Sequence, residues 1–231
     1  MTVQAARPSR PTRRARPTGW VPFAFVALVL ILVPAVTGSA RLVEVFGGPH
    51  LMPYNPRIVA SPLPVIVHLV SVIPYAIVGA FQFSSRLRRV RPGWHRMAGR
   101  ALIPLGLLVA ASGLWMTLFY PTQAGTGVLL YVVRLAVGST MAASILLGLA
   151  AIRRGDVPRH LAWMTRAYAL ALGAGTQAFT GAVRDALLGS SVLANDASLT
   201  AAWVINLAVA EFAIRRSRAV RPQRAAALTG G

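Results

Sequence analysis

Two long apolar runs of this chain are joined by a short basic segment, Arg88-Arg89-Val90-Arg91-Pro92-Gly93-Trp94-His95-Arg96-Met97-Ala98-Gly99-Arg100. The pattern recurs further along, because Arg153-Arg154 is followed by His160 at the spacing that separates Arg88-Arg89 from His95. We call residues 88–100 the first basic segment and residues 153–160 the second. Basic turns between apolar runs are typical of the cytoplasmic loops of membrane helices, so they predict a helical membrane protein.

The composition excludes an ordinary soluble domain. Of 231 residues, 55% are hydrophobic and 13% are charged, whereas soluble domains carry about 25% charged residues. The formal net charge of +19 comes from arginines that are concentrated in particular segments. Such a distribution sets membrane orientation and does not form one nucleic-acid-binding face, so no nucleic-acid partner is expected. The chain has no cysteine, which excludes disulfides, thiolate metal sites and cysteine nucleophiles.

The apolar runs predict a fold that is all-α, a polytopic bundle of six transmembrane helices. Each run is long enough to cross about 30 Å of hydrocarbon at about 1.5 Å per residue. The helices are predicted at residues 20–40, 62–83, 99–120, 128–152, 161–182 and 198–214, within one domain at residues 20–214. Residues 1–19, rich in arginine and proline, are predicted to be a disordered basic tail, and residues 215–231 a basic cytoplasmic tail.

The arginines predict the orientation of the bundle. The N-terminal tail, the first basic segment with Arg86, the second with Arg166, and the C-terminal tail hold 5, 6, 4 and 5 arginines, which is 20 of the 24. Six helices place all four groups on one side of the membrane, which the positive-inside rule identifies as the cytoplasm. Both termini are therefore predicted to be cytoplasmic, with anionic lipid headgroups as partners of the arginine-rich face.

The second predicted helix carries a polar face. His68, Ser71, Tyr75, Gly79 and Gln82 follow one another at steps of 3, 4, 4 and 3, which places them on one side of a helix. Hydrocarbon cannot hydrogen-bond these groups, so the face should point into the bundle. The third helix carries a stripe of glycines seven residues apart, which predicts close packing against a neighbouring helix: Gly99, Gly106 and Gly113.

Arg134 in the fourth predicted helix lies at about the depth of His68, which predicts a shared polar pocket. The candidate lining residues are His68, Ser71, Tyr75, Gln82, Tyr131, Arg134 and Gln177. An ionisable group at this depth needs a partner or a task. The task would be a proton relay, a quinone contact or axial ligation of a cofactor, and the alternative is a satisfied hydrogen bond between helices.

A second candidate site involves the two histidines of the basic segments. If the two hairpins pack together, His95 and His160 could ligate haem b, with Arg100 and Arg166 pairing with its propionates. The alternative is that both histidines, with Trp94 and Trp163, anchor helix ends at the headgroups. Spacing alone does not place the two rings within bonding distance of one iron.

Three motifs carry a resemblance to a known family. They are Gly79-Ala80-Phe81-Gln82-Phe83, Trp94-His95-Arg96-Met97-Ala98-Gly99-Arg100 and His160-Leu161-Ala162-Trp163-Met164-Thr165-Arg166-Ala167-Tyr168-Ala169-Leu170. In this order they resemble a family of bacterial predicted membrane proteins filed as DUF2306, a domain of unknown function, with Gly79-Ala80 standing where Gly-Pro is expected. The resemblance implies the fold and a place in the bacterial cytoplasmic (inner) membrane, and it implies no activity.

Three functions remain open from the sequence. The first is a structural or accessory subunit that acts through lipid and protein contacts. The second is a haem b- or quinone-linked redox protein, and the third is a transporter for a small solute such as an anion. Motifs of metalloproteases, serine hydrolases and phosphate-binding loops are missing from the sequence, but whether the protein is an enzyme stays open.

Overall fold

A computed structural model of the chain describes residues 20–189 and 191–229, so the predicted tail at residues 1–19 lies outside the described residues. Within those two ranges helices are the only regular secondary structure, and turns and loops connect them. The nine helices are α1 Trp20–Val45, α2 Pro56–Ala60, α3 Leu63–Gln82, α4 Ser85–Val90, α5 Pro92–Phe119, α6 Val128–Arg153, α7 Val157–Ala171, α8 Gly173–Leu187 and α9 Val192–Thr229. The prediction of an all-α fold is therefore confirmed.

Five stretches of the described chain are long and apolar enough to cross a membrane: Phe23–Val45, Leu63–Gln82, Pro92–Phe119, Val128–Arg153 and Val192–Ser217. The helix predicted at residues 161–182 is instead two helices of 15 residues each, α7 and α8, which meet at Leu172. Two glycines explain the interruption. A Cβ at Gly173 would collide with the indole of Trp203, and one at Gly175 would collide with the carbonyl of Leu30. Close packing therefore requires glycine at both positions, and glycine is a weak helix former.

The basic segments are more helical than expected. Ser84 caps α4 by accepting a hydrogen bond from the Leu87 amide, and α5 already begins at Pro92, so residues 88–100 form a bend between two helices. In the second segment Asp156 caps α7 by accepting from the Arg159 amide. The last predicted helix, residues 198–214, begins instead at Val192 and continues to Thr229, through most of the predicted tail. Arginine and alanine, which are good helix formers, make up much of this extension.

The helices form a ring in which the α7–α8 pair is one member. α3 packs on α1 and α5, α6 packs on α5 and α7, and α9 packs on α6, α7 and α8, while α1 closes the ring against α8. At one end of the bundle, the side-chain amide of Asn195 donates to the carbonyl of Gly125 at 2.7 Å. At the other end, Nδ1 of His160 donates to the carbonyl of Gly148 at 2.8 Å. We call these the loop end and the basic end.

The polar face of α3 meets the glycine stripe of α5. The two helices run antiparallel with matching seven-residue repeats, so each large side chain of α3 lies beside one glycine of α5. The pairs are His68 with Gly113, Tyr75 with Gly106 and Gln82 with Gly99. Ser71, Tyr75 and Gly79 are buried, which confirms that this face points into the bundle.

Tyr168 joins α7 to α3 in the middle of the core. Its hydroxyl donates to the carbonyl of Ala76 at 2.8 Å, and its ring lies against Gly79, where a Cβ would be 2.5 Å from Cε2 of the tyrosine. The rings of Phe83 and Tyr75 lie 5.2 and 6.3 Å from it, centroid to centroid. The absence of a side chain at Gly79 is therefore what lets the two helices approach.

We expect Gly79→Ala to destabilise the protein by about 1–3 kcal/mol, because the added methyl displaces the Tyr168 ring from a packed core. The midpoint of thermal unfolding in detergent, followed by circular dichroism, measures the loss. Gly181→Ala is the matched control, since that helical glycine has no neighbour within 4 Å of an added Cβ. Equal midpoints for the two variants would contradict the proposed packing.

Candidate functional site

A cavity of about 440 Å³ lies inside the bundle and extends towards the loop end. Helices α1, α2, α3, α5, α6, α7, α8 and α9 all contribute to its walls. Most of the lining is apolar, and the polar or charged residues among it are Asn55, Arg57, His68, Thr117, Tyr120, Gln123, Arg134 and Gln177. We call this the central cavity. A volume of this size and a mostly apolar wall with a few polar groups are typical of small-molecule sites.

The structure brings together only part of the predicted polar pocket. His68 from α3, Arg134 from α6 and Gln177 from α8 all line the central cavity. The remaining candidates, Ser71, Tyr75, Gln82 and Tyr131, are not among the residues that line it. Ser71 and Tyr75 are buried between helices, whereas 43% of Tyr131 is exposed. His68 and Arg134, which were chosen for their matching depth, therefore line one cavity, but being on the same helix face as His68 was not enough for a residue to reach it.

Arg134 is a half-buried cation with no hydrogen bond or ion pair to another residue that the structure describes. The charged groups near enough to act on it are Arg57, which repels it, and Asp196, which attracts it. No carboxylate is among the residues that line the central cavity. The polar part of this cavity is therefore positively charged.

His68 is held in one orientation by a short chain of hydrogen bonds. The Ser112 hydroxyl donates to the carbonyl of Leu108 at 2.6 Å, and the same oxygen lies 3.0 Å from Nδ1 of His68. Because the serine proton is used, Nδ1 of the histidine must be the donor. The other ring nitrogen, Nε2, is then left to contact a ligand.

Helix α2 lies at the loop end of the cavity, where Arg57 connects it to the segment that follows α5. This guanidinium donates to the side-chain oxygen of Gln123 at 2.9 Å and lies over the ring of Tyr120, 6.0 Å from its centroid. The Tyr120 hydroxyl in turn donates to the carbonyl of Ser61 at 2.5 Å. Burial raises the pKa of Tyr120, against a smaller opposing effect of Arg57, so the hydroxyl keeps its proton and this hydrogen bond near neutral pH.

Asp196 is a buried carboxylate that the sequence analysis did not identify. It is 2% exposed and accepts hydrogen bonds from the amides of Gly127 at 3.0 and 3.1 Å and of Leu130 at 3.0 Å. These amides belong to the first turn of α6, so the carboxylate caps that helix and meets its positive end. An acid within an apolar helix was the signal in the sequence, but its partners lie in another helix.

At the basic end, His95 and His160, which were predicted to hold haem b, lie near enough to each other to interact electrostatically, but their ring nitrogens have different partners. Nδ1 of His160 is hydrogen-bonded to Gly148, whereas Nδ1 of His95 is buried with no hydrogen-bond partner among the described residues. Arg166 is committed to Glu211, with donor–acceptor distances of 2.5 and 3.1 Å, and it lies over the ring of Trp163. Arg100 is exposed.

The fit of a haem to these residues is incomplete. The hydrogen bond from Nδ1 leaves Nε2 of His160 unprotonated in the neutral ring, which is the form that a metal ligand takes. Against this, Arg166 is already paired, and neither His95 nor His160 lines the central cavity. Within residues 20–189 and 191–229, no three side chains group into a metal site. A haem role for His95 and His160 stays a prediction.

Comparison with known proteins identifies one family. A family model described as "Predicted membrane protein (DUF2306)" matches residues 65–214, which is more than half of the chain and includes α3 to α8. No curated protein matches, and no solved structure matches. The matched range contains Arg134, His68 and Asp196, whereas α1 and α2, which complete the cavity wall, precede it.

We expect Asp196→Ala to destabilise the protein by about 1–3 kcal/mol, because it removes a helix cap and leaves buried amides without an acceptor. Asp196→Asn should lie between the wild type and Asp196→Ala, since its amide retains one acceptor oxygen. Unfolding midpoints in detergent measure both. Asp185→Ala serves as the control, because that carboxylate is 65% exposed in its pair with Arg184. A loss no larger than that of the control would contradict the capping role.

Proposed function

Because this chain belongs to the DUF2306 family of predicted membrane proteins, whose description names no activity, we propose a function from the central cavity itself. The protein is a multi-pass membrane protein, and we infer that it binds a small amphiphilic anion in this cavity as a carrier of that solute. This develops the transporter alternative of the sequence analysis and leaves the accessory-subunit and redox alternatives as the outcomes to be tested against it.

The observation that carries the proposal is the unpaired charge of Arg134. An arginine within the hydrocarbon layer costs about 3 kcal/mol on insertion scales, so such groups are found paired or at functional sites. Here the nearest acid, Asp196, is already engaged by the amides of α6, and Arg57 adds a second positive charge to the cavity. A bound anion would supply the missing partner.

The rest of the lining favours an amphiphile over an inorganic ion. Apolar side chains from eight helices form most of the wall, and the charged groups are confined to a few positions. The α7–α8 interruption also contributes Leu172 and Ala174 to the wall. In membrane carriers, interrupted helices line substrate sites, and the first turn of a half-helix presents a partial positive charge. Both features suit a ligand with an anionic head and an apolar body.

We also propose that α7 and α8 together form a sixth crossing, with both termini in the cytoplasm. The hydrogen bond from His160 to Gly148 belongs to the basic end, whereas Arg184 near the end of α8 is hydrogen-bonded to Asn195, which contacts Gly125 at the loop end. The pair therefore runs the length of the bundle. Six crossings put both basic segments on one side, which in a bacterial inner membrane is the cytoplasmic side.

The topology is tested by single cysteines, because the natural chain contains none. In intact cells we expect a membrane-impermeant maleimide to label Ala124→Cys and Leu188→Cys, which lie at the loop end. Val90→Cys and Val157→Cys, at the basic end, should react only after the membrane is opened. Labelling of position 157 from outside, or protection of position 188, would contradict the six-crossing topology.

Anion binding is tested by the fluorescence of Trp203, which lines the central cavity. In nanodiscs we expect 8-bromooctanoate to quench this tryptophan saturably, and 8-bromooctanol, which lacks the charge, to quench it at least about tenfold less strongly at equal concentration in the membrane. A tenfold ratio corresponds to about 1.4 kcal/mol, a modest value for one buried charge–charge contact. The quenching that is lost in Trp203→Phe is the part that comes from Trp203.

The variants then locate the charge that matters. Arg134→Leu should abolish the preference for the anion and Arg134→Lys should retain part of it, whereas Arg154→Leu, an exposed arginine at the basic end, should leave it unchanged. Equal quenching by acid and alcohol in the wild type would contradict anion binding. Stronger quenching by a brominated quinone than by the acid would favour the redox alternative instead.

A further inference from the structure

A second cavity, of about 620 Å³, is an apolar groove flanked by α1 and α9 and floored by α7. It is separate from the central cavity, although Leu30 and Leu172 belong to both linings. We call it the inner groove, because it begins at the basic end, where Arg88, Pro158 and Ser217 lie. Its lining ends at Ile205 on α9, and beyond the α7–α8 interruption it continues to Thr176 and Phe179 of α8.

The wall that α9 contributes to the inner groove is about as long as one leaflet of a bilayer is thick. Its wall on α9 runs from Ile205 to Ser217, which at 1.5 Å per residue is about 18 Å. Half of a hydrocarbon core of about 30 Å is about 15 Å. This wall therefore extends from the headgroup level at the basic end to about the middle of the membrane, which is the depth that one acyl chain occupies.

The lining of the groove suits an acyl chain. The groove is lined along its length by side chains of α1, α7, α8 and α9. An acyl chain is a single row of methylene groups, and each of them gains about 0.8 kcal/mol from burial relative to water. The wall is almost wholly apolar, with Phe23, Leu161 and Val209 among its members.

One charge marks the headgroup end. Arg88 is the single charged residue that lines the inner groove, and within the described part of the chain it has no hydrogen bond or ion pair. No carboxylate lines the groove to compete for it. An arginine at the membrane surface binds a lipid phosphate and favours a lipid with a net negative charge over a zwitterionic one, whose headgroup cation opposes the arginine.

From these observations we propose that the inner groove is a specific binding site for one anionic phospholipid of the leaflet at the basic end. One acyl chain lies along α9 between α1 and α7, and the headgroup phosphate is bound by the guanidinium of Arg88. The site is distinct from the central cavity and does not depend on anion transport.

The test is native mass spectrometry of the protein released from mixed micelles of phosphatidylglycerol and phosphatidylcholine. We expect one retained lipid, with a preference of about fivefold for phosphatidylglycerol, the size that one arginine near an anionic headgroup gives. Arg88→Gln should remove the preference. Arg89→Gln, which removes an exposed arginine of the same helix outside the groove, should leave it unchanged.

A second pair of variants separates the groove from general attraction to anionic lipid. Ala213→Trp places a large ring in the groove from an exposed position and should abolish retention of the lipid, whereas Ala208→Trp, exposed on the same helix but outside the groove, should not. Equal retention of the two lipids by the wild type, or equal effects of Arg88→Gln and Arg89→Gln, would overturn the proposal. Quenching of Trp203 by 8-bromooctanoate should survive Ala213→Trp, so the two proposals fail separately.

Discussion

The hydrocarbon of a bilayer offers no hydrogen-bond partner, and this constraint accounts for the side-chain hydrogen bonds that join the helices of the bundle. The Tyr168 hydroxyl reaches the carbonyl of Ala76, and the side chain of Asn206 donates to the carbonyl of Ala169 while accepting from the hydroxyl of Thr176. Asp196 is satisfied by the amides that begin α6. Each of these polar groups thus holds two helices together, because the hydrocarbon offers it no other partner. Arg134 departs from this rule, and the departure draws attention to the central cavity.

The parts of the fold that depend on neighbours along the chain could be predicted from the sequence. The polar face of α3, the glycine stripe of α5 and the cap at Asp156 all follow from spacing within one helix or turn. The interruption at Leu172 could not be predicted. Only glycine fits at residues 173 and 175, because a side chain there would collide with Trp203 or Leu30, which are distant in sequence. The extension of α9 was missed for another reason: arginines that predicted a tail are also compatible with a helix that leaves the membrane.

The candidate site shows the same division. Depth along two helices was enough to place His68 and Arg134 at a common level, but which side chains reach a cavity depends on how each helix is rotated by its packing. Tyr75 does not line the cavity, and its ring packs against Gly106 of α5 instead. Asp196 was overlooked because its hydrogen-bond partners lie 66 and 69 residues away in the sequence. His95 and His160 occupy equivalent positions in two hairpins, and this predicted only that they lie close together. It did not predict the geometry of a ligand site, in which Arg166 is already paired with Glu211.

The two leucines common to both linings, Leu30 and Leu172, are where the central cavity and the inner groove adjoin. A change of rotamer at these two aliphatic side chains, beside the α7–α8 interruption, is a smaller rearrangement than a separation of the surrounding helices, and it would alter the shape of both cavities at once.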